Sequence, residues 1–450
     1  MTAVVEAEPA ERFHSVPLRR VVGRVRREGP LGLLDGLGAQ ANGALVRLNL
    51  GPFRPFLVTH PDHLQHILRT RAANYPRGAA MWSALGRLTG QGIGGEGAQW
   101  HASREILQTA FSASYLKSMS EQMITSITAA VDDLAARAGT PVDAGVEMTR
   151  VVQRVVDPVF FGSLIPDGEG DRLGEAVATA MSSLLWRMAM PFVPHAVPLP
   201  GDRPFKRATR TVNDILRPVL AQARQDPRDG RDIVTKLMQG TGADGRPLTD
   251  DQICEDIVAL FVAGSESSAI ALTWIWVGLV QNPHVYAKVR AEVDEVVGDG
   301  PLRREHIREL AYTQTVLREV LRIYSVGWAV PRTAAEDDEI DGVRIPAGAT
   351  LAISPYLTHR LAEFWPDPLR FDPDRFTREN VRNRHPLAYL PFGDGAHQCL
   401  GEAFFHQEAA LIVAAMMRRF DVGLAGPVEP KLSLTLQPRE AVELVLTPRR

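Results

Sequence analysis

The sequence predicts a mainly α-helical fold with small β-sheets, arranged around one long central helix. Three observations carry that expectation. Helical periodicity runs through most of the 450 residues, strand-like alternation is confined to short runs, and residues 257–280 form an apolar stretch broken by one charge, Glu266. No repeat or low-complexity segment competes with this reading. Residues 1–15 read as a flexible N-terminal tail and residues 16–450 as a single domain, with enough chain to bury a large core without cross-links.

The elements follow in order. Weak strands are expected at 45–50 and 56–59. The run Thr89-Gly90-Gln91-Gly92-Ile93-Gly94-Gly95 lacks a following Gly-Lys-Ser/Thr, so it reads as a mobile lid and not as a phosphate cradle. Thr249 and Gln252 fit a capping box that starts the long helix, and Gln281-Asn282-Pro283 ends it. Pro283 suits the first turn of the next helix, toward Val297, and another helix covers 312–324. Residues 339–345 and 350–354 read as a strand–turn–strand unit, and 365–391 as a packed, aromatic, Pro-rich meander. A last amphipathic helix, 401–419, leads into strands at 432–436 and 442–446.

Composition excludes several functions. Lys plus Arg number 50 against 53 Asp plus Glu, a net charge of −3, so no basic excess is present to neutralise a nucleic-acid backbone. Two cysteines, Cys254 and Cys399, exclude a disulfide framework, a four-cysteine zinc site and an iron–sulfur cluster held by this chain alone. The first twelve residues carry three glutamates and no apolar run, which is neither a secretory signal nor a membrane anchor, and a cytoplasmic protein is expected. Residues 257–280 are long enough to span a bilayer. Glu266 near their middle, among Ser265, Ser267 and Ser268, and the absence of basic flanks fit a core helix instead.

The two thiols differ in context. Cys254 lies in the first turn of the long helix beside Glu255 and Asp256, whose charge disfavours a thiolate, and it reads as structural. Cys399 closes Phe392-Gly393-Asp394-Gly395-Ala396-His397-Gln398-Cys399-Leu400-Gly401 directly before a helix. Glycines let that backbone approach a partner closely, while His397 and the helix start favour negative sulfur. Such a thiolate either ligates a metal whose other ligands come from a macrocycle, of which haem is the natural candidate, or is a buried cysteine in a glycine-rich turn.

This block resembles the cysteine loop of the cytochrome P-450 haem-thiolate monooxygenases, Phe-x-x-Gly-x-(His/Arg)-x-Cys-x-Gly, through Phe392, Gly395, His397, Cys399 and Gly401. Other motifs of that family recur in the right order. Glu-x-x-Arg occurs five times, but only Glu319 and Arg322 follow the long helix and sit on one face of an apolar helix. Arg375 matches the third member of that structural triad. Ala263-Gly264-Ser265-Glu266-Ser267 resembles the oxygen-binding helix, with Gly264 leaving room for dioxygen and Glu266 and Ser267 relaying protons. Here Ser267 replaces the commoner threonine, so Ser268 is an alternative relay. Trp100 and Arg104, with His397 and Arg332, resemble the donors for two haem propionates.

The resemblance implies the P-450 fold, a long central helix over haem b with Cys399 as the iron ligand, and oxidation of a hydrophobic small molecule, a terpenoid or other secondary metabolite. It implies a pocket lined by Ile93, Phe261, Val262, Val326, Gly327 and Leu434. Met181, Met188 and Met190 also reach toward it, although a methionine stripe at helical spacing is more often core. The chain ends about fifty residues after Cys399, so NAD(P)H electrons are expected through a ferredoxin or flavodoxin, with Lys117, Arg418 and Arg419 as contacts to a monomeric enzyme. The alternatives are a peroxide-driven or oxygen-independent rearrangement and a non-catalytic haem sensor or carrier.

Overall fold

The computed structural model describes residues 13–449 apart from 52, 79, 163, 167, 190–192, 194, 195 and 226–231. Met190 therefore lies outside the described residues. The chain forms two compact units, one of residues up to Ala79 with Arg318–Cys399 and Glu429–Arg439, the other of Ala80–Leu317, Leu400–Val428 and from Glu440 onward.

The first unit is built on a five-stranded mixed sheet. Phe13–Pro17 runs parallel to Leu45–Asn49, which pairs antiparallel with Phe56–Val58. That strand runs parallel to Thr350–Ile353, whose other edge carries Val330–Thr333 antiparallel. β-Branched and aromatic residues suit this half-buried surface, and Leu45, Phe56, Val58, Leu351 and Ile353 form one core with Leu64, Ile67 and Leu390. The expected unit at 339–354 divides: Asp338–Ile340 and Val343–Ile345 form a hairpin, while 350–353 joins the main sheet. Residues 432–436, expected as one strand, are the turn of a hairpin between Pro430–Leu432 and Leu436–Pro438. Ordered backbone also begins before residue 16, because Phe13–Pro17 is a strand.

The second unit is helical. Its axis is the long helix Asp250–Gln281, about 48 Å at the usual rise. Both halves of the predicted capping box form: Gln252 N donates to Thr249 Oγ1 at 3.3 Å and Thr249 N to Gln252 Oε1 at 2.9 Å. Among the described residues this helix alone is apolar and long enough to cross a membrane, and 67% of its most apolar window is buried within the protein. Trp274 and Trp276 are wholly buried on it, and Phe261 stacks on Phe161 of helix Ala144–Phe161 with ring centroids 6.3 Å apart. A three-stranded antiparallel sheet of Val142–Asp143, Glu443–Pro448 and Phe420–Leu424 completes the unit.

Candidate functional site

The cysteine loop belongs to the first unit. Cys399 N donates to Phe392 O at 2.9 Å and closes the loop around a short 3-10 turn, Gly395–His397. Gly395 sits at φ +73°, and a Cβ there would lie 2.3 Å from the carbonyl oxygen of Leu68, so only glycine lets the loop pack this closely. Arg69 clamps the same turn through a bidentate pair to Asp394, 2.7 and 2.8 Å, and those bonds raise the guanidinium pKa. Sequence reasoning missed this clamp; its only signal is that a cation and an anion flank the two contacting segments. The two thiols have opposite environments. Cys399 is exposed, whereas Cys254 is buried and burial pushes its thiol up to about 11.

Glu319 and Arg322 are fully buried and joined by two hydrogen bonds. The remaining Arg322 donors reach the carbonyls of His359, Pro368 and Arg370 at 2.9, 2.7 and 3.2 Å. Glu319 also accepts Asp372 N at 2.8 Å, and Arg375 Nε lies 3.5 Å from Glu319 Oε1. One ion pair thus fixes two carbonyls and one amide of the meander together with the carbonyl of His359. A buried pair tolerates desolvation only when its remaining donors and acceptors are met in this way. Elsewhere in this unit Arg332 is buried in strand Val330–Thr333. Leu436 N donates to Val326 O at 3.0 Å, bringing the hairpin that carries Leu434 beside Val326 and Gly327.

In the second unit, the middle of the long helix is least buried along one stripe, flanked by half-buried Val262 and Gly264. Ala263 and Glu266 are exposed, and Ser267 and Ile270 half-buried, at the i, i+3, i+4, i+7 spacing of a single face. Gly264 beside it leaves room against Phe160, whose Cε2 would stand 3.6 Å from a Cβ. The Ser267 hydroxyl donates back to Ala263 O. Surrounding protein raises the Glu266 pKa above the ordinary glutamate value, although the side chain keeps one solvent-facing side. Ser265 and Ser268 are buried, so of the three serines Ser267 is the one most open on the stripe. Trp100 and Arg104 lie on helix Ala98–Ala110, the indole buried and the guanidinium half-buried. Ile93 and Val262 are half-buried, while Phe261 and Met181 are core residues.

The loop expected to be a mobile lid is held instead. Ile93 N donates to Asp256 Oδ1 at 2.6 Å and Gln91 N to Glu255 Oε2 at 3.1 Å. Of the suggested surface contacts, Arg419 pairs with Asp132 and Arg418 bonds Gly298 O at 3.0 Å, while Lys117 is exposed.

A family model described as Cytochrome P450 matches residues 34–449. Cyclooctatin synthase from Streptomyces melanosporofaciens is 32% identical over 424 residues, covering 91% of this chain and 90% of the relative. Pentalenene oxygenase from Streptomyces avermitilis is 28% identical, with 93% of each chain covered. Among solved structures, a heme-domain mutant of cytochrome P450DA superposes with a TM-score of 0.85 at 26% identity, covering 94% of both chains. The chain belongs to the cytochrome P450 family, the monooxygenases whose cofactor is haem iron.

Its residues fit that group. Cys399 presents one exposed thiol on a closed turn, a single sulfur donor that suits a metal whose other ligands come from a macrocycle. The open positions Ala263 and Ser267, with Gly264 beside them, leave a stretch of helix face that a flat group can cover.

Proposed function

We propose that this enzyme hydroxylates or otherwise oxidises an apolar small molecule of the terpenoid class, with Cys399 as the ligand to haem iron. The observation that carries the reading is the exposure of Cys399. Structural cysteines are among the most buried residues, and Cys254 follows that rule while Cys399 breaks it on a turn constrained by Gly395 and Arg69.

Bound haem with a thiolate ligand supplies dioxygen activation. The chain's own residues do the rest. Trp100 and Arg104 in the second unit, and Arg332 and His397 in the first, would provide N–H donors for the haem propionates. Glu266, whose raised pKa brings it closer to neutral pH, accepts protons from solvent and passes them to the Ser267 hydroxyl. Ser267 must first turn away from Ala263 O, and lacking threonine's methyl it does so without a strong rotamer bias. Ile93 and Val262 in the second unit, and Val326, Gly327 and Leu434 in the first, would each present apolar surface to the substrate and select it by shape.

The terpenoid assignment is supported by the two Streptomyces relatives, named for pentalenene oxygenation and cyclooctatin synthesis. Electrons come from NAD(P)H through a separate ferredoxin or flavodoxin. The test is a substrate-induced spin-state screen over cyclic terpenes and polar metabolites of equal size, followed by turnover with each donor. Spin shifts and product with terpenes are expected; shifts confined to polar compounds, or binding with no product from any donor, would contradict it.

A further inference from the structure

The glycine-rich loop and the helix that carries Trp100 and Arg104 meet at one buried carboxylate. Asp256, with no solvent exposure, receives Ile93 N on Oδ1 at 2.6 Å and Ser103 Oγ on Oδ2 at 2.7 Å. Ser103 is also wholly buried and lies between Trp100 and Arg104 in helix Ala98–Ala110. Glu255 adds a second bond to the loop through Gln91 N at 3.1 Å. Contact is so close at Gly92 that a Cβ there would fall 2.0 Å from Asp256 Oδ1, so a side chain at 92 and the carboxylate exclude one another.

Burying a carboxylate costs free energy unless its oxygens are satisfied. Asp256 shows both effects: burial pushes its carboxyl up to about 6, while the bonds from Ser103 and Ile93 pull it down. An apolar residue at this core position would avoid the desolvation cost altogether. Asp256 thus holds the loop in a way that packing alone would not, since each oxygen serves a different element.

We infer that Asp256 is a positioning residue that fixes the glycine-rich loop, and with it Ile93, in register with the Trp100–Arg104 helix, and so sets how large a ligand the pocket accepts. The functional half of this inference rests on the proposed placement of Ile93 in the pocket; the latch itself does not. Asparagine can keep the latch, its amide oxygen accepting from Ile93 N and its amide nitrogen donating to Ser103 Oγ. Alanine cannot.

The experiment uses the haem-loaded full chain and its variants Asp256→Ala, Asp256→Asn and Glu255→Ala. Amide hydrogen exchange over residues 90–95 reads the latch. We expect at least tenfold faster exchange at Ile93 in Asp256→Ala, near wild-type exchange in Asp256→Asn, and faster exchange confined to Gln91 in Glu255→Ala. Titration with imidazole and 4-phenylimidazole reads the pocket, and the ratio of their dissociation constants is expected to change at least threefold in Asp256→Ala and to return with asparagine. Unchanged exchange at Ile93 in Asp256→Ala overturns the latch. If that variant does not fold, unchanged exchange at Gln91 in Glu255→Ala, or Asp256→Asn exchanging freely at Ile93, does so. Faster exchange with an unchanged azole ratio overturns the role in ligand size. Wild-type protein without a thiolate-type haem spectrum would instead sink the haem reading, and the exchange measurements would still decide the latch.

Discussion

Arg322 and Glu319 face each other with no solvent exposure, joined by hydrogen bonds of 2.7 and 2.8 Å, and Arg322 spends its other donors on the backbone carbonyls of His359, Pro368 and Arg370. Removing either partner leaves an uncompensated buried charge, worth about 3–5 kcal/mol. We predict that Glu319→Ala and Arg322→Ala both lose thermal stability and haem retention. Arg322→Lys should do nearly as badly, because a point ammonium cannot serve a carboxylate and three carbonyls at once. Thermal unfolding and the haem-to-protein absorbance ratio check this; a lysine variant equal to wild type would show that the pair is dispensable.

Ser267 donates to Ala263 O on the cleared stripe. If it delivers protons, Ser267→Ala should consume NAD(P)H at a comparable rate but release more of the electrons as free hydrogen peroxide, severalfold above wild type. Ser267→Thr should restore coupling. Peroxide yield per NAD(P)H is the measurement, and unchanged coupling in the alanine variant would move the relay to Ser268 or to water.

Glu408 is fully buried in the helix that follows the cysteine loop, and neither carboxyl oxygen has a hydrogen-bond partner among the described residues. Burial pushes its pKa from 4.5 up to about 8. Between those values the folded state keeps a proton that the unfolded chain releases, so stability from this group is full at low pH and is lost as pH rises through the folded value. Glu408→Gln should match wild type near pH 5 and exceed it in melting temperature near pH 9. A variant less stable by the same amount at both would contradict the assignment.

The features legible in the sequence are those set by local chemistry. Thr249 and Gln252 announced the long helix because a capping box is complete within four residues, and the contrast between Cys254 and Cys399 was visible in their neighbours. What stayed hidden depends on partners far along the chain. The glycine-rich run 90–95 reads as slack, yet the closeness of Gly90 to Glu255 and of Gly92 to Asp256 is what requires glycine at those two positions, and nothing in the loop itself points to residues more than 160 positions away. The clamp between Arg69 and Asp394 spans 325 positions. Residues 432–436 read as a strand because apolar residues alternate there, whereas the antiparallel pairing of Leu432 with Leu436 makes them a turn. Glu408 was passed over because a glutamate in an amphipathic helix ordinarily faces water.

Haem-thiolate chemistry in this protein depends on Cys399 as the iron ligand, and the most direct measurement is the absorbance of the reduced carbon monoxide complex in wild type and in Cys399→Ser. The account predicts a red-shifted Soret band in wild type and its complete loss in the serine variant. A serine variant that keeps the red-shifted band, or a wild type that never shows it, would contradict the central claim.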